Sequence, residues 1–381
     1  MFSERGSGMR SVWEFAKRET VFAVSFLLAL LSMAAVPPDA GYLAYPDGRT
    51  LALLFCLMIV VAGFRSLGAF LLLGEALLSR ADTLRKLSLT MVLLCFFSSM
   101  LLTNDVTLIT FVPFTLLVFR AAGEGSRALR LTVLETVAAN LGSMATPIGN
   151  PQNIYLTSVS AMAMRDFAAA VLPYAGLSLL MLIAAVMAEK DEPLRGHALS
   201  GLAGIERRGL FRRLLPYVGL LALSLLVVFR VISWEPALLV TVLAAAVLDR
   251  RLFRGADYFL LATFLCFFVF IGNMRRIPEI AGTLSALAAG REVWIGILAS
   301  QIISNVPAAV LLSGFTDDYG ALLTGVNLGG LGTLVASLAS LISFRYYTAV
   351  YPYKKGAYLR VFTLWNLGFL AALSALAALL T

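Results

Sequence analysis

Charge is scarce in this sequence, and its scarcity excludes an ordinary soluble protein. Charged residues make up 14% of the 381 residues, while hydrophobic residues make up 60%. A soluble chain usually has roughly 25% charged residues, because its surface must be covered with groups that water solvates. The mean hydropathy of +0.88 leads to the same conclusion. The chain is therefore expected to lie in a lipid bilayer.

Histidine and cysteine are also rare, which argues against several kinds of catalytic and metal site. The single histidine, His197, lies in a polar loop, and the sequence has neither an H-E-x-x-H motif nor a serine or cysteine dyad with a base. The three cysteines, Cys56, Cys95 and Cys266, lie in apolar segments and are expected to be reduced packing residues. No G-x-x-x-x-G-K-[ST] loop is present, which argues against an ATP-driven pump. We expect neither an enzyme nor a cofactor other than sodium ions.

Long apolar runs take the place of the missing charge. Each is close to the ~20 residues that a helix needs to cross ~30 Å of hydrocarbon. Examples are the segments 21–36, 168–188, 214–229, 258–271 and 361–380. The sequence predicts an all-α polytopic membrane protein with about nine transmembrane helices. We expect it in the inner (cytoplasmic) membrane of a bacterium.

The basic residues are distributed unevenly between the two sides of the membrane. With the N-terminus inside, 24 of the 30 lysines and arginines fall in inner segments and 6 in outer segments. This is the positive-inside bias, which sets the orientation of a membrane chain. The net charge of +8 therefore reports topology and not a nucleic-acid partner. An odd number of crossings places the C-terminus outside.

One apolar stretch, 87–119, is predicted to enter the membrane from the inner side without crossing it. Thr103-Asn104-Asp105 splits it into arms of 16 and 14 residues, which are too short to cross. Basic residues flank both ends, so both ends are expected on the inner side. The sequence therefore predicts a re-entrant helical hairpin whose polar tip lies near the midplane.

A second stretch, 291–315, is predicted to be a hairpin that enters from the outer side. Ser304-Asn305 splits it into short arms, and acidic residues follow it. Irregular backbone at membrane depth is tolerated where protein or a wet cavity satisfies it. The tips of both hairpins are therefore candidate site residues.

The two hairpins belong to two halves with similar sequences. The Asn-Leu-Gly triplet at Asn140 recurs at Asn327, 187 residues later, and the same offset pairs Thr146 with Thr333. Five predicted crossings separate the starts of the halves, and an odd number inverts the second half, as in many secondary transporters. The predicted divisions are the N-terminal tail and first scaffold helix (1–49), repeat 1 (50–188), a cytoplasmic loop with central scaffold helices (189–255) and repeat 2 (256–381).

Proline and glycine predict that one helix of each repeat, at 131–156 and 320–344, is broken within the membrane. A proline has no N–H, so the carbonyls of Ser143 and Pro147 should lose their helical partners. Such oxygens coordinate hard cations such as sodium. A milder alternative is that proline and glycine only kink these helices. The residues of the first break that are predicted to bind are Thr146, Pro147, Gly149, Asn150 and Asn153, and those near the second break are Thr333 and Ser337.

Asp105 is the most informative single residue, because an ionisable side chain at membrane depth usually faces a wet cavity. We expect it to bind the coupling sodium ion or proton. The alternative is that Asn104 and Asp105 only cap the second arm of the hairpin. Arg65 lies at the end of a span, where it either attracts an anionic solute or reaches the lipid head groups.

These motifs resemble those of a known group of membrane proteins. The tip Thr103-Asn104-Asp105 resembles that of arsenite-efflux permeases, and the segment 142–153 resembles anion permeases of the ion transporter superfamily. That superfamily also includes divalent-anion/sodium symporters and sodium/proton antiporters. The resemblance covers nearly the whole chain in the order and spacing of its hairpins.

The resemblance implies a homodimer in which a scaffold supports a mobile transport domain that moves by an elevator mechanism. Two positions depart from the symporters, which have a hydroxyl residue where this chain has Asp105 and Val306. By position, the first implied site contains Thr103, Asn104, Asp105 and the break from Thr146 to Asn153, and the second contains Ser304, Asn305, Thr333 and Ser337.

The sequence thus predicts an ion-coupled secondary active transporter of a small anion or oxyanion, driven by sodium or protons. The alternative is a sodium/proton antiporter that uses Asp105. The residues expected to hold sodium are Asn104, Asp105, Thr146 and Asn150. The expected partners are the solute, the coupling ion, the lipid bilayer and a second copy of the chain.

Overall fold

The computed structural model describes residues 19–69, 81–121, 124–193 and 209–380, so the predicted tail segment 1–18 and His197 lie outside the described residues. Within these ranges the regular structure is helical, and an isolated bridge joins Thr83 to Pro193. The α-helices are α1 (Thr20–Ala35), α2 (Gly48–Ser66), α3 (Leu84–Leu102), α4 (Asn104–Ala121), α5 (Gly125–Ser143), α6 (Pro151–Ser160), α7 (Met164–Met187), α8 (Leu210–Val228), α9 (Trp234–Leu248), α10 (Tyr258–Arg275), α11 (Pro278–Ala288), α12 (Glu292–Ile303), α13 (Asn305–Ser313), α14 (Tyr319–Leu328), α15 (Leu338–Val350) and α16 (Lys355–Leu380).

Six helices of the described residues are long and apolar enough to cross a membrane, or seven if α11 and α12 count as one bent span. The six are α2, α3, α7, α8, α10 and α16, the last with the turn before it. Helix α3 has 19 residues instead of the 16 predicted for this arm of the hairpin, so the prediction that the arm is too short to cross is wrong, and its re-entrant course stays a prediction. They establish a polytopic membrane protein. The predicted number of nine crossings stays a prediction, because α1 and α9 have only 16 and 15 residues and two further spans would each be made of two helices.

Helices α3 and α4 form a hairpin that packs along α5. At one end, the Leu84 backbone N–H donates to the Glu192 carbonyl (2.9 Å), and Arg127 at the start of α5 pairs with the Glu192 carboxylate (2.9 Å). At the other end, Asn104 donates to Asn140 near the end of α5 (3.0 Å). The starts of α3 and α5 therefore lie together, and α4 runs back from the tip at Thr103.

Helices α12 and α13 form a second hairpin around Ser304. Its open end is closed by Thr316, which donates to the Glu292 carboxylate (3.1 Å). Small residues let α12 approach α14 closely, because a Cβ on Gly325 would lie 2.4 Å from the Val293 carbonyl oxygen. Close backbone packing at small residues is how membrane helices commonly associate.

The helix that begins with α5 is interrupted between Ser143 and Pro151, and α6 continues after the break. Asn150 caps α6 by accepting from the Asn153 backbone N–H (2.9 Å), and Pro151 occupies the first turn, where its missing N–H costs nothing. Gly149 is required by a close approach, because a Cβ there would lie 2.0 Å from the Ser143 carbonyl oxygen.

A second interruption separates α14 from α15, between Leu328 and Leu338. Gly332 within it has a φ of 101°, a conformation that glycine adopts without strain. Both interruptions lie beside a hairpin tip. The buried apolar residues of α3, α4, α5, α7, α15 and α16 form one core, and those of α2, α6, α10, α13 and α14 contribute to a second.

Candidate functional site

The tips of the two hairpins have the same unusual backbone conformation. Thr103 has φ 71° and ψ 150°, and Ser304 has φ 74° and ψ 155°. This region is essentially restricted to glycine, and a residue with a Cβ is held there at a cost of roughly 1–3 kcal/mol. Such strain persists where the surroundings impose it, and it concentrates at functional sites.

Each tip continues with a buried asparagine that makes the same local contact. The Asn104 side-chain oxygen accepts from the Asp105 backbone N–H (3.0 Å), and the Asn305 oxygen accepts from Val306 (2.9 Å). The Asn104 amide also donates to Asn140, so Asn104 does more than begin a helix. The backbone N–H of Asn305 is held by the Ala336 carbonyl at the second break (2.9 Å).

Thr146 lies in the first break and Thr333 in the second, and each donates a hydrogen bond to the hairpin beside it. The Thr146 hydroxyl donates to the Met100 carbonyl near the end of α3. The Thr333 hydroxyl donates to the Gln301 carbonyl near the end of α12 (3.2 Å). These carbonyls belong to the last turn of a helix, where intrahelical donors are missing. Both threonines therefore support the strained tips next to them.

Asn140 at the end of α5 connects the first hairpin to the second break. Its side-chain oxygen accepts from the Asn104 amide (3.0 Å) and from the Ser337 hydroxyl (3.0 Å). Its amide lies 3.5 Å from both the Gly330 carbonyl and the Ser340 hydroxyl. All of these side chains are buried, so the contacts satisfy groups that water does not reach.

Asn327 at the end of α14 makes the corresponding contacts with the first break. Its side-chain oxygen accepts from the Asn150 amide (2.9 Å), and its own amide donates to the Asn153 side-chain oxygen (2.8 Å). Ser337 and Ser340 lie 187 positions after Asn150 and Asn153, the offset that also separates Asn327 from Asn140. The two breaks are thus linked by two matching sets of hydrogen bonds, which we call the asparagine link.

Carbonyl oxygens at the first break are less available than the sequence suggested. The Asn153 amide points at the carbonyls of Ser143 (3.5 Å), Met144 (3.1 Å) and Thr146 (2.9 Å). The Ser143 carbonyl, expected to be released by Pro147, therefore faces a protein donor. The side-chain oxygen of Asn150 likewise accepts from Asn153. A cation at this break would use the second lone pair of such oxygens.

A cavity of about 990 Å³ reaches the tip of the first hairpin. Thr103, Asp105 and Pro151 contribute to its lining, and so do Arg65 and Arg212. Asp105 is half-buried and lies in the first turn of α4. The arginines belong to segments predicted on the inner side, so the cavity opens toward that side if the predicted orientation holds.

The candidate site residues fall into two groups in the structure. Thr103 and Asp105 line the cavity, whereas Asn104, Asn150, Asn153 and Ser337 belong to the asparagine link or directly support it. The tip Ser304–Asn305 lies at the second break and is not part of the cavity lining, and Thr333 is exposed. The sodium ligands stay a prediction.

Asn140, Asn327 and Ser340 are central to the arrangement, and sequence reasoning did not place them in the site. The Asn-Leu-Gly triplet that repeats at an offset of 187 was available as a signal for the first two. By itself the triplet indicates a repeat and not a set of contacts. The sequence singles out Ser340 only in that it lies 187 positions after Asn153.

An all-helical polytopic chain with two hairpins and two interrupted helices meeting at one site has the features of a secondary transporter. A match to the citrate transporter family (CitMHS) covers residues 11–335, and the chain belongs to this family. This confirms the resemblance to transporters of the ion transporter superfamily. The chain is a transporter and not an enzyme.

Individual relatives agree with this assignment. The inner membrane protein YbiR of Escherichia coli K12 is 33% identical over 304 residues, which are 78% of this chain and 80% of the relative. An uncharacterized transporter of Methanocaldococcus jannaschii, MJ0456, is 29% identical over 326 residues, 85% of this chain and 87% of the relative. The silicon efflux transporter LSI3 of rice (Oryza sativa subsp. japonica) is 32% identical over 176 residues, 45% of this chain and 36% of the relative. The chain is an integral protein of the inner membrane.

Proposed function

We propose that this protein is an ion-coupled secondary active transporter of a small anion or oxyanion. The observation that carries the proposal is the asparagine link, in which two interrupted helices, each beside a strained hairpin tip, meet through matching contacts of Asn140 and Asn327. Discontinuous helices that meet at a pseudo-symmetric centre are the usual framework of a midplane binding site.

The matching contacts support two inverted repeats, with repeat 1 at 50–188 and repeat 2 at 256–381. In each repeat a threonine hydroxyl of the break donates to a backbone carbonyl near the hairpin tip, Thr146 to Met100 and Thr333 to Gln301, although the sequences around the two pairs differ. Chance similarity between apolar sequences would not reproduce side-chain hydrogen bonds in register. We propose nine crossings, with α5–α6 and α14–α15 each counted as one.

Helix N-termini support an anionic substrate. Helix α4 begins at Asn104 and α6 begins at Pro151, and both starts adjoin the cavity lining. The N-terminus of a helix carries a partial positive charge and unpaired N–H groups, which favour anions. Four arginines line the cavity against three aspartates, and this positive excess favours an anion; the residues are Arg65, Arg212, Arg213 and Arg251, and Asp105, Asp249 and Asp257. The family description names citrate, a small carboxylate that fits this class.

Movement of the hairpins and broken helices against α2, α8 and α9 would carry the site across the membrane. The cavity lies between these groups, since Met58, Pro216 and Leu248 line it together with the first hairpin. An elevator motion of this kind needs a stable scaffold, and we propose a homodimer for that role. Light scattering of the detergent-solubilised protein should give the mass of two chains, and the mass of one chain would contradict the dimer.

Asp105 is the proposed site of the coupling ion. It is the carboxylate of the first hairpin tip, it lines the cavity, and it occupies the position where the related symporters carry a hydroxyl. Among the described residues, no group of three histidine, cysteine, aspartate or glutamate side chains is arranged to hold a metal ion. Asp105, which has neighbouring hydroxyl and amide oxygens and lies close enough to Asp257 to interact with it electrostatically, instead suits sodium or a proton.

The test combines ligand-induced stabilisation with transport. We expect sodium to raise the melting temperature of the wild-type protein, and citrate or another small anion to raise it further, because a ligand at ~100 times its Kd adds ~2.7 kcal/mol. Asp105→Asn should lose the sodium shift and at least ten-fold of the ion-dependent uptake into proteoliposomes. Asp318→Asn is the matched control, because Asp318 is exposed and caps α14 through an oxygen that asparagine retains.

An unchanged sodium shift and unchanged uptake in Asp105→Asn would remove Asp105 from the coupling role. Sodium efflux by the wild-type protein with no anion present would instead favour the second candidate, a sodium/proton antiporter. That candidate is supported by the same observation that Asp105 lines the cavity at the hairpin tip.

A further inference from the structure

A second acidic residue, Glu135, is fully buried in the middle of α5 and has no part in the asparagine link. Its side chain is 0% exposed. The Thr115 hydroxyl of α4 donates to its Oε1 atom, and its Oε2 atom has no hydrogen-bond partner in the described part of the chain. None of the ion pairs formed by the described residues includes Glu135.

The groups that face Glu135 are uncharged at neutral pH and include other buried polar atoms. Tyr358 of α16 and Cys95 of α3 are close enough to interact with it electrostatically, and the ring of Tyr347 in α15 packs against that of Tyr358 in a tilted arrangement with centroids 5.0 Å apart. In the described part of the chain, the hydroxyl groups of Thr132 and Tyr347 are buried and have no hydrogen-bond partner. The neighbours of Glu135 therefore offer it polar groups but no cation.

A buried carboxylate without a cationic partner costs several kcal/mol, and such a group is neutralised by a bound cation or by a proton. A sodium ion would need about six oxygen ligands, as hard cations do. The helix around Glu135 offers few, because its carbonyls are used within the helix and the Thr132 carbonyl also accepts from Thr136 (2.7 Å). A proton needs one oxygen and suits this site.

We infer that Glu135 is a proton-binding site inside the transport domain, separate from Asp105, and that its proton is carried during the transport cycle. The Oε2 atom takes up one proton and becomes a hydroxyl that can donate to a neighbouring oxygen, and the carboxylate is restored when the proton leaves. The role in the cycle rests on the proposed transport function, whereas the binding of the proton does not.

A row of three tyrosine rings extends from the neighbourhood of Glu135 to the end of α15. The Tyr358 ring packs against the Tyr347 ring, and the Tyr347 ring packs against the Tyr351 ring with centroids 5.1 Å apart, both pairs being tilted. Tyr351 lies at the end of α15 beside Lys354 and is only half-buried. Because the Tyr347 hydroxyl has no hydrogen-bond partner among the described residues, the row gives a direction from Glu135 toward the basic loops and not a continuous hydrogen-bonded path.

The first experiment measures the proton directly by infrared spectroscopy of the whole purified protein. At neutral pH the wild-type protein should show the carbonyl band of a protonated carboxylic acid, and Glu135→Gln should lack it, since glutamine imitates the neutral carboxyl group. Thr115→Val should shift the frequency of the band, because it removes the hydroxyl that bonds to Oε1. Asp105→Asn serves as the control for the other membrane carboxyl group.

A spectrum in which Glu135→Gln and Thr115→Val both leave every carboxylic acid band unchanged would overturn the inference. This outcome does not depend on transport, so it is distinct from a failure of the proposed function. Thr115→Val keeps the test valid if Glu135→Gln does not fold, because threonine and valine have nearly the same shape.

The second experiment tests whether the proton moves. In proteoliposomes with a pH-sensitive dye inside, the transported anion should evoke a proton flux in the wild-type protein. Glu135→Gln should reduce that flux at least ten-fold while the anion still raises the melting temperature. A proton flux equal to that of the wild type in Glu135→Gln would restrict Glu135 to a structural role and overturn the coupling part of the inference.

Discussion

At the scale of single residues, the site depends on side chains that hold the backbone in conformations it would otherwise leave. Thr103 and Ser304 are strained, and their neighbours are tied by Asn140 and by the Ala336 carbonyl. Strain of this kind is stable only while the surrounding hydrogen bonds are complete. The asparagine link is therefore expected to control both stability and transport.

Asn327→Ala is expected to destabilise the protein and to reduce transport at least ten-fold. The change leaves the Asn150 amide and the Asn153 side-chain oxygen without their cross-link, and an unsatisfied buried polar group costs roughly 1–3 kcal/mol. The measurement is the melting temperature in detergent together with uptake into proteoliposomes. Thr348→Ala is the control, because the bonds of the Thr348 hydroxyl to described residues all go to carbonyls of its own helix. Equal effects of the two substitutions would contradict the proposed importance of the link.

At the scale of helices, local signals in the sequence predicted the elements that stop or reverse the chain. The triplet at Thr103 lies where α3 gives way to α4, and the prolines and glycine near Pro151 mark the break before α6. These features were predictable because they depend on length, charge and missing N–H groups within a few residues.

What the sequence did not reveal depends on contacts between distant residues. The Asn153 amide occupies carbonyls that were expected to be free, and Asn140 meets Ser337 from the other half of the chain. Such pairs follow from the packing of whole helices, so no rule based on neighbouring residues predicts them. The same limit applies to Glu135, because its buried environment depends on contacts with α4 and α16.

Gly142→Ala is expected to separate α5 from the first hairpin. A Cβ at Gly142 would lie 2.1 Å from the Phe96 carbonyl oxygen, so a backbone must move, and overpacking typically costs about 1–3 kcal/mol. We expect a lower melting temperature and weaker transport. Gly176→Ala is the matched control, because nothing lies within 4 Å of the added methyl group and alanine favours a helix. A Gly142→Ala protein as stable as this control would show that the hairpin does not pack as described.

At the scale of the whole molecule, the two hairpins have different environments although their tips match. The first tip lines the cavity, and the second tip lies against the α14–α15 break outside the cavity lining. In a protein with inverted repeats, this asymmetry is what distinguishes one facing state from the other. The described conformation is therefore interpreted as open toward the side of the basic loops.

Cysteine labelling tests this interpretation with two positions that correspond in the hairpins. Ile109 lies five residues after Asn104 and lines the cavity, whereas Val310 lies five residues after Asn305 and is 0% exposed. In a background without Cys56, Cys95 and Cys266, Ile109→Cys should react with a membrane-impermeant thiol reagent from the inner side. Val310→Cys should not react from either side in the same conformation.

The elevator model adds a further expectation, because alternation exchanges the environments of the two hairpins. A condition that favours the outward-facing state should slow the labelling of Ile109→Cys and speed that of Val310→Cys from the outer side. A reagent that reaches Ile109→Cys only from outside would reverse the assigned orientation. A single moving domain must cover one position as it uncovers the other. Labelling rates of the two cysteines that do not change in opposite directions would therefore argue against a rigid movement of both hairpins.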